Sequence, residues 1–139
     1  LGVAGTYFLH TATFHPAILL PASSVGLLSV GVLNLNNLRD HKNDAENGKF
    51  TLVVRMGVPW AKVYHVILLA TAFLFALAYT LIRFESYLQL LLLIPVPLLI
   101  SDVKKVIENT VPLELNAELK KLAMATLLFS LSFGLGLIL

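Results

Sequence analysis

The chain has 139 residues, 58% hydrophobic and only 13% charged, where an ordinary soluble domain has about 45–50% and about 25%. A soluble fold of this length cannot hide so much apolar surface, so the composition is that of an integral membrane protein. The net charge of +2 without interleaved basic and aromatic stripes excludes a nucleic-acid footprint, and the absence of Cys excludes disulfides, thiolate catalysis and thiolate metal sites.

The chain opens LGVAGTYFLH, with no Met and no basic region of the kind that starts a signal peptide, so Leu1 is expected to lie inside a longer protein. Residues 1–15 read as the end of one membrane segment, with Gly2, Gly5 and Thr6 small enough for close helix packing. His10 and His15 read as interfacial histidines beside the turn at Pro16; without carboxylate company they make no metal site. Residues 17–38 hold no charge, and at ~1.5 Å per residue they cover roughly 33 Å, enough for a ~30 Å hydrocarbon core. Asn34, Asn36 and Asn37 make the far end of this span polar, and amides at that depth face a partner helix or an aqueous cavity.

Seven charges follow within 17 residues: Arg39, Asp40, Lys42, Asp44, Glu46, Lys49 and Arg55. Residues 39–59 are expected to be a polar loop, turning at Asn47-Gly48, with Pro59 opening the next helix. Residues 60–82 form a second span, with Trp60, Tyr64 and His65 read as interfacial. Arg83 and Glu85 bound a short turn, and residues 86–101 are a third, short span that Pro95 and Pro97 should kink. Residues 102–121 read as a polar connection whose last part is helical, with Asn116 as its N-cap, and residues 122–139 as a last span. The expected fold is thus an all-α transmembrane bundle of about four spans plus the end of one more.

Orientation follows from the Lys and Arg residues. The connections 39–62, 83–86 and 102–121 carry five, one and four of them. That alternation places the acidic patch on the cytoplasmic side by the positive-inside rule.

Asp40 and Asp44 are four positions apart, one turn from each other if the preceding helix continues past Leu38. Two carboxylates on one face, with Asn36 and Asn37 just before them, suit Mg²⁺, which takes oxygen ligands and is commonly held by one or two carboxylates plus substrate phosphates. Arg39 and Lys49 are placed to neutralise a diphosphate. The same spacing also occurs on solvated helix faces, and Lys42, Glu46 and Lys49 read equally as loop charges. What favours a site is its position at the mouth of a membrane helix, with an Asn pair inside. His41, between the acids, reads as an exposed bystander or a base. A phosphate loop fails because Asn43 stands where Gly is needed and Phe50 separates Lys49 from Thr51.

The stretch NNLRDHKNDAENGKFTLVVRMG, residues 36–57, resembles the second Asp-rich motif of the UbiA-type membrane prenyltransferases, closest to their menaquinone branch, the 1,4-dihydroxy-2-naphthoate polyprenyltransferases. The pattern N-N-x-R-D-x-x-x-D-x-x-x-G-K-x-T-L-x-V-x-x-G is filled at every fixed position, and VAGTYFLHT and LNAELKKLAMATLLFSLSFGLG extend the likeness over essentially the whole chain. The resemblance implies a bundle of membrane helices around a cavity open to the cytoplasm and to lipid, in the bacterial inner membrane. It implies two Asp-rich motifs whose Mg²⁺ ions grip a polyprenyl diphosphate. It further implies that an aromatic acceptor, here 1,4-dihydroxy-2-naphthoate, attacks the allylic cation. Asp40 and Asp44 would be the metal ligands and catalytic acids, Asn36 and Asn37 their inner neighbours, and Arg39 and Lys49 the diphosphate cations. The first Asp-rich motif does not occur in residues 1–139, so the chain corresponds to the C-terminal part of one prenyltransferase domain and is expected to be inactive without the N-terminal half. The alternatives are a transferase for another aromatic acceptor, such as 4-hydroxybenzoate or a chlorophyllide-type ring, and a transporter or structural helical module.

Overall fold

The structure is a computed structural model and describes residues 2–139; Leu1, the expected start of the first segment, lies outside them. Six helices follow one another: α1 (Gly2–Thr11), α2 (Leu19–Glu46), α3 (Leu52–Met56), α4 (Val58–Ile82), α5 (Val96–Glu108) and α6 (Leu115–Ile138). Short 3-10 segments at Pro16–Ile18, Tyr87–Leu93 and Pro112–Glu114 join them, and no strand occurs among the described residues. Among the described residues, three helical stretches are long and apolar enough to cross a membrane: Pro16–Glu46, Val58–Ile82 and Pro112–Ile138. The fold class read from the sequence is therefore the observed one.

Helices α2 and α4 run antiparallel and form the core of the bundle. Their facing stripes repeat every three or four residues: Ser24, Leu28, Gly31 and Leu35 on α2 against Ala61, His65, Leu68, Leu69 and Ala72 on α4. Small residues let the backbones approach. A Cβ at Gly31 would sit 2.8 Å from Leu69 Cδ1. Two buried side chains tie the pair at separate levels, Ser24 Oγ donating to the Ala72 carbonyl (2.7 Å) and Asn34 Nδ2 to the Ala61 carbonyl (3.0 Å). Such bonds satisfy polar groups that have no water to turn to in hydrocarbon. Helix α6 lies across α2 with Leu122, Ala125, Phe129 and Phe133 buried.

Four details depart from the sequence reading. First, α2 does not stop at Leu38 but carries the polar stretch as helix to Glu46, and the remainder of the expected loop holds α3. Second, residues 86–101 are not one span. A 3-10 segment ends at Leu93, and α5 begins at Val96, because Pro95 and Pro97 lack the N–H groups that would continue the ladder. Gly136 on α6 admits that 3-10 segment. A Cβ there would lie 2.6 Å from the Leu88 carbonyl oxygen. Third, α5 runs to Glu108 and so occupies the start of the expected 102–121 connection. The last part of that connection is helical as read, but Glu114 and not Asn116 is the N-cap residue of α6, with Asn116 inside the helix. Fourth, among the described residues Gly2 and Gly5 make no close helix contact, a Cβ at either meeting nothing within 4 Å.

Both polar connections meet at one end of the bundle. Arg39 at the end of α2 bonds Asn116 of α6, and Lys62 of α4 bonds the Ile107 and Asn109 carbonyls at the end of α5. The lightly charged turn at Arg83 closes α4 at its other end.

Candidate functional site

Because α2 continues to Glu46, Asp40 and Asp44 stand one turn apart on a single helix. Asp44 is buried (6% exposed) and Asp40 half-buried. Each carboxylate carries a cation from its own neighbourhood. Arg39 forks onto Asp40, Nε to Oδ1 at 2.7 Å and Nη2 to Oδ2 at 2.6 Å. Lys49 Nζ reaches Asp44 Oδ1 at 3.2 Å. The other Asp44 oxygen, Oδ2, is buried with no hydrogen-bond partner.

The chain's local rules deliver Lys49 to Asp44. Asn47 caps the C-terminal end of α2, and Gly48 follows in the left-handed conformation (φ +70°) that glycine adopts without a Cβ penalty. The backbone then folds back, Gly48 N–H donating to the Ala45 carbonyl (3.1 Å) and Lys49 N–H to the Asp44 carbonyl (2.8 Å). The next fixed positions are equally structural. The Thr51 side chain caps α3 by accepting from Val54 N–H (3.4 Å). Gly57, at φ +81° and ψ 156°, is both the end of α3 and the N-cap residue of α4. That region of backbone space is essentially glycine's alone.

Arg39 is anchored by more than Asp40. Its Nη2 also donates to Asn36 Oδ1 and its Nη1 to Asn116 Oδ1, each at 2.9 Å. Asn116, expected to cap a helix, instead binds the site from 77 positions away. Asn37 is half-buried one position on from Asn36. Asn34, deeper in α2, is turned to the Ala61 carbonyl of α4 instead of to the patch. His41 is tied to the Leu38 carbonyl through Nδ1 (2.7 Å), and Lys42 and Glu46 are exposed.

Among the described residues, no group of three His, Asp or Glu side chains converges to hold a metal ion. The patch supplies two carboxylates and one open buried oxygen, Asp44 Oδ2. That donor set fits a hard divalent cation of the Mg²⁺ type, whose remaining positions belong to water and phosphate.

Sequence reasoning missed a second polar cluster. His65 is not interfacial: it is fully buried, with Nε2 2.8 Å from Oδ2 of an equally buried Asp102. Nearby, Glu118 (6% exposed) accepts from Lys105 at 2.9 Å and Lys121 at 3.3 Å. The available signal was the buried stripe of α5, in which Leu99, Asp102 and Val106 follow helical spacing. Lys105 lies at the surface, and its hydrogen bond to Glu118 raises its pKa above the ordinary lysine value.

Against known proteins, residues 1–111 match the UbiA prenyltransferase family. The chain is 43% identical over 138 residues to a 1,4-dihydroxy-2-naphthoate octaprenyltransferase of Haemophilus influenzae, covering 99% of this chain and 45% of that protein. It is 39% identical over 139 residues to the protein of that name from Escherichia coli, covering 100% and 45%, and 25% identical over 134 residues to that of Bacillus subtilis, covering 96% and 43%. The chain thus spans a little under half the length of these curated relatives. No solved structure matches it.

Proposed function

The chain belongs to the UbiA prenyltransferase family, and from that premise we propose that it works as the C-terminal portion of a membrane enzyme of menaquinone synthesis. That enzyme transfers a polyprenyl group from its diphosphate to 1,4-dihydroxy-2-naphthoate and depends on Mg²⁺. The observation that carries the reading is the pair of carboxylates on consecutive turns of α2, each with a basic partner and one with an open, buried oxygen. The acceptor and an octaprenyl donor follow the names of the relatives.

In this reading Asp40 and Asp44 would hold Mg²⁺, which would supply charge neutralisation to the departing diphosphate. Arg39 and Lys49 orient the phosphate oxygens, and Asn36 fixes the Arg39 fork from the preceding turn. The carbon–oxygen bond of the allylic diphosphate breaks with its electron pair going to diphosphate. The ring carbon of the naphthoate forms the new bond to the prenyl carbon, and its carboxylate leaves as carbon dioxide. The apolar helices shelter the prenyl chain, and the acidic end of the bundle faces the cytoplasm, where soluble acceptor and Mg²⁺ are present.

The test is prenyl transfer by the full-length enzyme carrying Asp40→Asn or Asp44→Asn. Each should lose transfer while its thermal unfolding stays near that of the parent. Turnover that survives both substitutions would remove the carboxylates from the mechanism. Residues 1–139 alone should be inactive, and 4-hydroxybenzoate should not replace the naphthoate. A better rate with 4-hydroxybenzoate would reassign the acceptor.

A further inference from the structure

The two cations seated against the carboxylates, Arg39 and Lys49, are both engaged. Arg39 uses Nε and Nη2 on both oxygens of Asp40 and is held there by Asn36 and Asn116. Lys49 lies on Asp44 Oδ1, delivered by the Gly48 turn. Two acids and two bases leave the four side chains with no net charge. A divalent ion arriving alone meets one open anionic atom, Asp44 Oδ2, and must share or take oxygens that Arg39 already holds. A diphosphate arriving alone meets cations already engaged. Together the two ligands settle both deficits: the metal takes the carboxylates, and the released guanidinium and ammonium groups turn to the phosphate oxygens.

We propose that Arg39 and Lys49 are exchangeable counter-ions, which neutralise Asp40 and Asp44 in the resting site and make divalent-cation binding and diphosphate binding mutually dependent. The proposal rests on reading the patch as a metal–diphosphate site and adds the order it imposes. Neither ligand binds well without the other, and each strengthens the other by the same factor. Asn116 is a positioning residue in this scheme. It touches neither ligand but keeps Arg39 on Asp40 from the first turn of α6.

The experiment measures Mn²⁺ bound to the full-length protein by equilibrium dialysis, with and without inorganic pyrophosphate. Bound metal is the excess over the protein-free chamber that holds the same Mn²⁺ and pyrophosphate. In the parent, pyrophosphate should tighten Mn²⁺ by about tenfold or more. Arg39→Gln should bind Mn²⁺ alone about tenfold tighter than the parent, with a reduced gain from pyrophosphate. Asn116→Ala, which leaves every charge in place, should move the same way by a smaller factor. Parent Mn²⁺ binding indifferent to pyrophosphate overturns the exchange, as does Asn116→Ala together with Arg39→Gln binding Mn²⁺ no tighter. Asp40→Asn separates the two levels. If it leaves pyrophosphate-dependent Mn²⁺ binding intact, the site reading itself fails. If it abolishes that binding while the Arg39 and Asn116 variants behave as the parent, only the exchange fails.

Discussion

His65 Nε2 and Asp102 Oδ2 lie 2.8 Å apart and join α4 to α5, with neither side chain reaching solvent. Among the described residues His65 Nδ1 and Asp102 Oδ1 have no partner, so the contact between the two residues is what offsets their burial there. His65→Ala or Asp102→Ala should each destabilise the fold by about 3 kcal/mol, because the residue left behind is buried and unpaired. The double replacement should cost less than the sum of the two. Heat denaturation in detergent micelles, followed by helical ellipticity, reads all three.

Two close-approach glycines should respond differently to a methyl group. At Gly136 the new Cβ meets backbone, the Leu88 carbonyl oxygen at 2.6 Å and Gln89 Cα at 2.9 Å. At Gly31 it meets the tip of a side chain, Leu69 Cδ1 at 2.8 Å, which a rotamer change relieves. Gly136→Ala should therefore cost about 2 kcal/mol or more and Gly31→Ala under about 1 kcal/mol. Equal losses in the same unfolding assay would contradict the packing described for the segment Tyr87–Leu93.

Gly48→Ala acts on the site through the backbone. The left-handed residue costs about 1 kcal/mol more without glycine, and its strain loosens the turn that sets Lys49 on Asp44. Gly57→Ala should cost more, about 1–3 kcal/mol, since its backbone angles lie where side chains are barely tolerated. In the full-length protein, the proposed prenyl transfer by the two variants, compared at matched folded fraction, separates loss of the turn from loss of the fold.

The Lys105–Glu118 pair fixes a sign for alkaline pH. The folded protein raises the Lys105 pKa through its hydrogen bond to Glu118. The contribution is fully present below the unfolded lysine value and disappears as pH rises through the raised folded one. Glu118→Gln should flatten that alkaline decline in unfolding temperature relative to the parent, whereas an unchanged slope would mean that the pair adds nothing to stability.

The parts of the fold that depend on neighbours in sequence were legible in advance. Charge-free runs located α2, α4 and the apolar part of α6, and Asn47-Gly48 announced the turn that ends α2. The polarity of residues 39–46 concealed that they are helical, because polarity reports solvent and not backbone conformation. Asp102 was hidden for the same reason: its carboxylate looks like part of a hydrophilic connection until His65 is placed against it, 37 positions away. Asp40, Asp44, Arg39 and Lys49 stood out by spacing. That the bases are seated on the acids, and that Asn116 secures one of them, depends on tertiary geometry to which composition is blind.

The antiparallel pair α2 and α4, pinned at Ser24–Ala72 and Asn34–Ala61, also bears on how such a chain enters its membrane. Two apolar rods joined by a charged tip are a helical hairpin, and a hairpin partitions into lipid as a unit once its inward polar groups satisfy one another. Insertion in that form buries both rods while the tip stays in the compartment it started from. The acids and bases of residues 39–55 then need never be dragged through hydrocarbon. Insertion and the placement of the charged end become one event.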